Sequence, residues 1–196
     1  WVFISPESSA YWSRLMQTGN FFIELSTNNE FVIGTYANRK GGPGTMFRYG
    51  NTSAQISKGK WHHIVVTGNS SNECTLWING QNTDLGSRFH DTGLQGHYPN
   101  FSVGARDAVN KDPKHTDYFD GKLDDIRIYS RALSESEVAA LYELEKKEGS
   151  GGAETDLANG LFMHLKFDGD LVDSSGNNRN AAFSKEGSFE SDLRNN

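Results

Sequence analysis

The chain reads as short apolar runs separated by turn residues. Residues 21–27 (FFIELST), 31–37 (FVIGTYA) and 61–68 (WHHIVVTG) are rich in β-branched and aromatic side chains, which suit a pleated, half-buried surface. Residues 73–80 (ECTLWING) follow a polar turn cluster. Their closing Asn79-Gly80 pair predicts a two-residue hairpin turn, because both residues tolerate positive φ. A polar stretch over 81–100 leads to a predicted strand at 101–106 (FSVGAR), and a second over 107–117 leads to GKLDDIRIYS at 121–130. Strands and turns at this spacing predict an all-β, antiparallel sandwich.

One segment carries the helical period instead. Ser134 followed by Glu137 forms a capping box, and Leu133 with Val138 is placed to staple the first turn. Val138, Leu141 and Tyr142 form an apolar stripe, with Glu143 and Lys147 paired outside it. This helix is expected to cap the sandwich surface. Residues 149–160 (GSGGAETDLANG) then read as a flexible joint. Beyond it, Leu161, Met163, Leu165 and Phe167 alternate with Phe162, His164 and Lys166, the period of a strand with one apolar face. The last twenty residues are polar and expected to be loosely held.

Composition narrows the function. A chain of 196 residues holds one or two domains. A net charge of −6 opposes a phosphate-tracking surface, so no nucleic-acid partner is expected. There is no run of about 18 apolar residues, so no membrane insertion is expected either. The chain opens at Trp1 without a secretory leader or a Met, which is read as a cut through a longer protein. The single Cys74 excludes an internal disulfide framework and is expected to be a buried thiol.

Residues 59–81 (GKWHHIVVTGNSSNECTLWINGQ) and 118–142 (YFDGKLDDIRIYSRALSESEVAALY) resemble the central hairpin and the closing strand and helix of the laminin-G-like family. That family is a concanavalin A-like sandwich found in many exported bacterial proteins. The resemblance implies an antiparallel jelly-roll β-sandwich with one short C-terminal helix, and it covers residues 1–148. The same family usually opens with a strand like LFMHLKFDGDLVDSSGNNRNA, which here, at 161–181, follows the closing helix. Residues 1–148 are therefore expected to form a sandwich lacking its first strand. Residues 149–160 are its linker and 161–196 the opening of a second repeat. A fragment of a tandem array accounts for this order, with a circular permutant as the alternative. Without a partner, LDDIRIY would leave a row of open N–H and C=O groups. The joint reaches about 3.3 Å per residue, enough to return across a small domain. Residues 161–167 are thus expected to fold back and pair with 123–129.

Candidate sites follow from chemistry and from the resemblance. In LDDIRIY, Asp124 shares a face with Ile126 and Ile128 and would point inward. Asp168, Asp170 and Asp173 lie in the Gly-containing FDGDLVDSSGN segment. Hard oxygen ligands of this kind suit a structural Ca²⁺, which related sandwiches often carry. The alternative is that Asp124 binds backbone N–H groups while the others cap turns. His62 and His63 are strand neighbours on opposite faces and cannot grip one ion. Trp61, His63, Val65 and Thr67 share one side, where packing is expected. No G-x-S-x-G, phosphate-binding glycine loop or E-x-D-x-x-E carboxylate pattern is present, so no catalysis is expected. Ligand contacts are expected in the loops at 37–49, 85–98 and 107–118, with Phe89, His90, Tyr98, His115 and Tyr118 as candidate rings and polar groups for a sugar. Together these features imply a non-catalytic recognition module for carbohydrate or for a cell-surface or matrix protein. It would sit beside neighbouring domains of a larger protein, secreted or at the cell surface of a bacterium. The alternatives are a structural spacer without ligand and an accessory domain of a glycoside hydrolase.

Overall fold

A computed structural model describes residues 1–9, 12–18, 21–37, 45–68, 74–83, 101–105, 118–146 and 157–182. One layer is a five-stranded sheet in the order β10-β2-β3-β4-β5. It comprises β2 (Ser13–Thr18), β3 (Phe21–Leu25), β4 (Glu30–Ala37), β5 (Thr45–Gln55) and β10 (Phe101–Val103). The facing elements are β1 (Val2–Ile4), β6 (Trp61–His62), β7 (Ile64–Gly68), β8 (Cys74–Ile78), β9 (Gln81–Thr83), β11 (Gly121–Leu123), β12 (Ile126–Tyr129) and β13 (Leu161–Leu165). They pair as β11-β1-β6, β7-β8-β9 and β12-β13. The registered pairings are all antiparallel.

The core lies between the layers. Leu15, Phe21, Ile23, Leu25, Phe31 and Ile33 of the five-stranded sheet pack with Val2, Ile4, Ile56 and Leu76. This is the alternation read from the apolar runs: Phe21, Ile23 and Leu25 of β3 and Phe31 and Ile33 of β4 enter one cluster. β3 is buried along its whole length, on both faces. The second face of this sheet holds Arg14 and Glu24, paired at 3.1 Å with side chains only 1% exposed.

The predicted hairpin turn is present. Asn79 and Gly80 have φ of 52° and 76° and join β8 to β9, with Ile78 opposite Gln81. A Cβ on Gly80 would lie 2.9 Å from the Tyr142 ring, so glycine also lets the helix approach. The helix α1 spans Glu135–Lys146. Its capping box is formed: Ser134 N–H donates to Glu137 Oε2 at 2.7 Å, and Glu137 N–H donates to Ser134 Oγ at 3.3 Å. Arg131 adds two hydrogen bonds to the same carboxylate. They are the largest reason that Glu137 titrates low, at about 2. Leu133, Val138 and Leu141 bury against Trp77, which seats α1 on the β7-β8 sheet. The i,i+4 partner assigned to Glu143 lies outside the described residues; Lys146 stands 3.8 Å from Glu143 instead.

Three readings are corrected. In the segment 37–49, taken as a loop, Ala37 closes β4 and residues 45–49 belong to β5, while 38–44 lie outside the described residues. The segment LDDIRIY, taken as one strand, is two. β11 ends at Leu123 and β12 begins at Ile126, with Asp125 between them at φ 46°. Asp tolerates that left-handed conformation, and it breaks the alternation. Asp124 therefore does not continue the face of Ile126 and Ile128. Its Oδ1 accepts the N–H of Asp125, the local backbone bond weighed as the alternative to a metal. WHHIVVTG likewise divides at His63.

β13 lies antiparallel to β12, with Ile126 opposite Leu165, Ile128 opposite Met163 and Tyr129 opposite Leu161. The downstream strand therefore covers an edge of β12. Ser130 N–H and Arg131 Nε bond to the carbonyls of Gly160 and Asn159, which fixes the entry to β13. Residues 147–156, most of the predicted joint, lie outside the described residues.

Candidate functional site: a cavity between two strand edges

A concavity with a volume of about 600 Å³ lies between β7 and β12. Its floor is the apolar interior, with Leu15 and Ile23, and its roof includes Leu133 and Leu141 beside the helix. Trp1 stands at one end. Its ammonium donates to the Asp124 carbonyl at 2.7 Å, and the Asp124 N–H donates to the Trp1 carbonyl at 3.1 Å.

A chain of polar groups rims this cavity. Glu145, on the last turn of α1, accepts from the Trp1 indole at 2.6 Å, faces His63 Nε2 at 3.4 Å and pairs with Arg127. Arg127 also approaches Asp125 at 3.7 Å, and Asp125 meets His164 Nε2 at 3.1 Å. The rings of Trp1, His63 and Tyr142 pack against one another at tilted angles, with centroids within 6.0 Å. Each carboxylate here is held by cations and donors from other elements, so the rim is an internal brace between α1, β12 and β13.

Burial, followed by the Trp1 ammonium and Arg127, lowers the His63 imidazole to about 3, with Asp125 pulling weakly the other way. His63 therefore stays neutral in the folded chain. The unfolded chain takes up that proton below about pH 6.5. Stability should thus be full above pH 6.5 and fall as pH drops toward 3. The expected slope is at most about 1.4 kcal/mol per pH unit. Melting curves from pH 8 to 5 check this, with His63→Gln expected to flatten the slope. A residual slope should remain, because burial lowers His62 in the same direction.

The four aspartates assigned to Ca²⁺ do not come together. Among the described residues no three His, Cys, Asp or Glu side chains converge on a metal position. Asp124 serves its neighbour's N–H, and Asp170 accepts the N–H of Val172 to close a turn. Asp173 is 5% exposed and accepts the N–H groups of His164, Ser175 and Arg179. Burial pushes its carboxyl up, but these donors outweigh burial and hold it below the usual carboxylate range. Asp168 is exposed. These residues tie the loop after β13 to the strand and do not fit a cation cage.

Of the ligand candidates, Phe89, His90, Tyr98 and His115 lie outside the described residues. Tyr118 is 44% exposed, one residue before Phe119 enters the core margin. Cys74 is partly buried on β8, and burial pushes its thiol up to about 12, an unreactive state. His63 packs, as the alternation indicated. Glu145, Arg127, Asp125 and His164 were missed. Only the buried phase of Glu145, three residues after Tyr142 on the helix, hinted at a role.

A family model described as the concanavalin A-like lectin/glucanases superfamily, of laminin G type, matches residues 1–139. Paraclostridial mosquitocidal protein 1 from Paraclostridium bifermentans is 35% identical over 88 residues, covering 44% of this chain and 6% of that protein. A protein from Bacteroides ovatus, provisionally named for carbohydrate binding, aligns with a TM-score of 0.56 at 16% identity, over 90% of this chain and 48% of that one. An S-layer domain-containing protein from Clostridium thermocellum reaches 0.34 at 24% identity, over 72% of this chain and 61% of that one, and the two folds cannot be equated on that overlap. The chain thus spans a small part of the first relative and about half of the first structure. With the family's pattern running through the sandwich from Trp1 into the helix, the chain belongs to the laminin G branch of the concanavalin A-like lectin/glucanases superfamily.

Proposed function

We propose that this chain is a non-catalytic recognition module that binds carbohydrate within a larger bacterial protein, secreted or displayed at the cell surface. Membership in the lectin/glucanase superfamily carries the reading. The provisional name of the Bacteroides ovatus protein agrees with it. Glycosidase chemistry needs two carboxyl groups facing a sugar across an open cleft. Here Glu24, Glu145, Asp125 and Asp173 are each engaged by internal donors. Tyr118 offers an exposed ring on which a sugar can stack. The proposed contact among the described residues is the Tyr118 ring, while the other candidates, Phe89, His90, Tyr98 and His115, lie outside the described residues. Among the described residues no helix is long and apolar enough to cross a membrane.

A glycan array tests the reading. Reproducible binding is expected, with Tyr118→Ala weakening it by about tenfold, the order of one lost stacking contact. No binding across the array, with the fold intact, would leave a structural spacer. Turnover of β-glucans would instead restore the enzyme reading.

A further inference from the structure

We infer that a small polar pocket at the end of the sandwich, between β1, the start of β2 and the β3–β4 turn, is a binding site for one tetrahedral oxyanion. The pocket has a volume of about 120 Å³, room for more than one water or for a single phosphate- or sulfate-sized group. Its apolar wall is Ile4 and Leu25, both core residues. Ser13 opens β2 and stands opposite Leu25 in the β2–β3 register, so its side chain takes the same inner face. There Ser13 is only 6% exposed, and among the described residues none bonds to its hydroxyl. A hydroxyl so covered has lost most of its water, and an unmet hydrogen bond there costs free energy. The pocket beside it is where a partner can stand.

The lining is a set of donors. Lys58 Nζ donates to the Ser8 carbonyl, which holds the ammonium at the pocket and leaves its other N–H groups to a ligand. The hydroxyls of Ser9 and Thr27 and the Asn29 amide also line it, and among the described residues none bonds to them. Ser26 is spent on the turn instead, where its Oγ accepts the N–H groups of Asn28 and Glu30. Among the described residues no carboxylate lines the pocket. Glu30 stands behind Ser26, and its carboxylate accepts from Ser26 Oγ and Gln55 Nε2. One ammonium, several neutral donors and no carboxylate select an anion over a hard metal ion, which needs anionic oxygen. Among the described residues no aromatic ring lines the pocket either, so a sugar ring has nothing to stack on. Each hydroxyl can turn its proton toward an anionic oxygen, and such charge-assisted bonds are the stronger kind. The same donors recognise a free ion or the terminal ester of a larger molecule. The chain as a whole carries a net charge of −6 and repels anions, so uptake depends on this local set. Tyr118 does not line the pocket, and the inference is independent of the sugar contact proposed above.

The test is a titration of the full isotope-labelled chain with sodium phosphate and with sodium sulfate, at constant ionic strength, read by amide chemical shifts. Saturable shifts are expected at Ser8, Ser13, residues 26–29 and Lys58, with a dissociation constant in the millimolar range or below. Lys58→Met and Ser13→Ala should each weaken binding by about tenfold or more, the order of one lost bond to a charged group. Lys60→Met, at an exposed lysine outside the pocket, should leave binding unchanged. Without the anion, Ser13→Ala should melt no lower than the parent, because it removes a hydroxyl that the fold itself does not use. Methyl phosphate and glucose are the remaining probes. Tighter binding of methyl phosphate than of inorganic phosphate assigns the oxyanion to an ester on a larger molecule, and equal or weaker binding assigns it to the free ion. Shifts that do not saturate, or that survive both substitutions, would overturn the site. So would a Ser13→Ala chain that melts well below the parent, since the hydroxyl would then be satisfied within the fold. Saturation by glucose in the same residues would make this a pocket for neutral hydroxyls and overturn the oxyanion.

Discussion

A chain ending at Gly160 is expected to melt roughly 10–20 °C below the full chain, or to lose cooperative unfolding altogether. β13 is the reason. It brings Met163 and Leu165 to 5% and 1% exposure, and burying each such side chain contributes about 1.5–3 kcal/mol. It also closes the edge of β12. His164 engages Asp125, and Asp173 anchors the following loop to the His164 backbone. Losses of about 5 kcal/mol or more are comparable with the whole stability of a domain, which is about 5–15 kcal/mol. Each kcal/mol moves the melt of a chain this size by about 2–4 °C. Leu165→Ala isolates the packing part and should cost about 2–5 kcal/mol. Val172→Ala, at a side chain 50% exposed, should stay within about 0.5 kcal/mol. Differential scanning calorimetry on the three variants checks the order. A truncated chain that melts with the full chain would mean that β13 does not hold β12.

The elements legible in the sequence were those with apolar runs set between turn residues or with a local signature of their own. β3, β4, β7 and β8 alternate or run apolar between turn residues, and Asn79-Gly80 and the Ser134–Glu137 box announce their own geometry through local hydrogen bonding and φ. The position of β13 was legible from a different argument, the unsatisfied edge that LDDIRIY would otherwise leave. β2 was not legible. Its residues SRLMQT bury Arg14 at 0% and Gln17 at 4% as well as Leu15, so a polar-looking segment is covered on both faces. β1 is three residues long, too short for any period to show. The break at Asp124 and Asp125 depends on one left-handed residue, which alternation cannot reveal.

The site divides the same way. The packing of His63 followed from strand parity. Its partners did not, because Glu145 lies on a helix that reaches Trp1 across 144 positions of sequence. The aspartates of FDGDLVDSSGN looked like cation ligands because oxygen-rich, glycine-containing loops serve both purposes. Backbone N–H groups satisfy the Asp173 carboxylate here, and composition does not distinguish a metal from a backbone donor.

Replacing Glu24 alone should be more damaging than replacing it together with Arg14. The two residues face each other across β2 and β3, with their charged atoms 3.1 Å apart and almost no exposure. The Arg14 guanidinium also lies 4.1 Å from the centre of the Phe22 ring. Removing one member of such a pair takes a counterion away from a buried charge, at a cost of about 3–5 kcal/mol. Replacing both by apolar residues of similar volume removes the desolvation penalty of both ions, and such exchanges are often neutral. Glu24→Leu is therefore expected to lower the unfolding free energy by about 3–5 kcal/mol in urea titrations. Adding Arg14→Met should restore most of that loss, because the thioether still packs on Phe22. A coupling of about 2 kcal/mol or more between the two changes would mark the pair as an energetic unit. If the two costs simply add, the ion pair is a coincidence of packing, and the covered face of the five-stranded sheet is held by its apolar contacts alone.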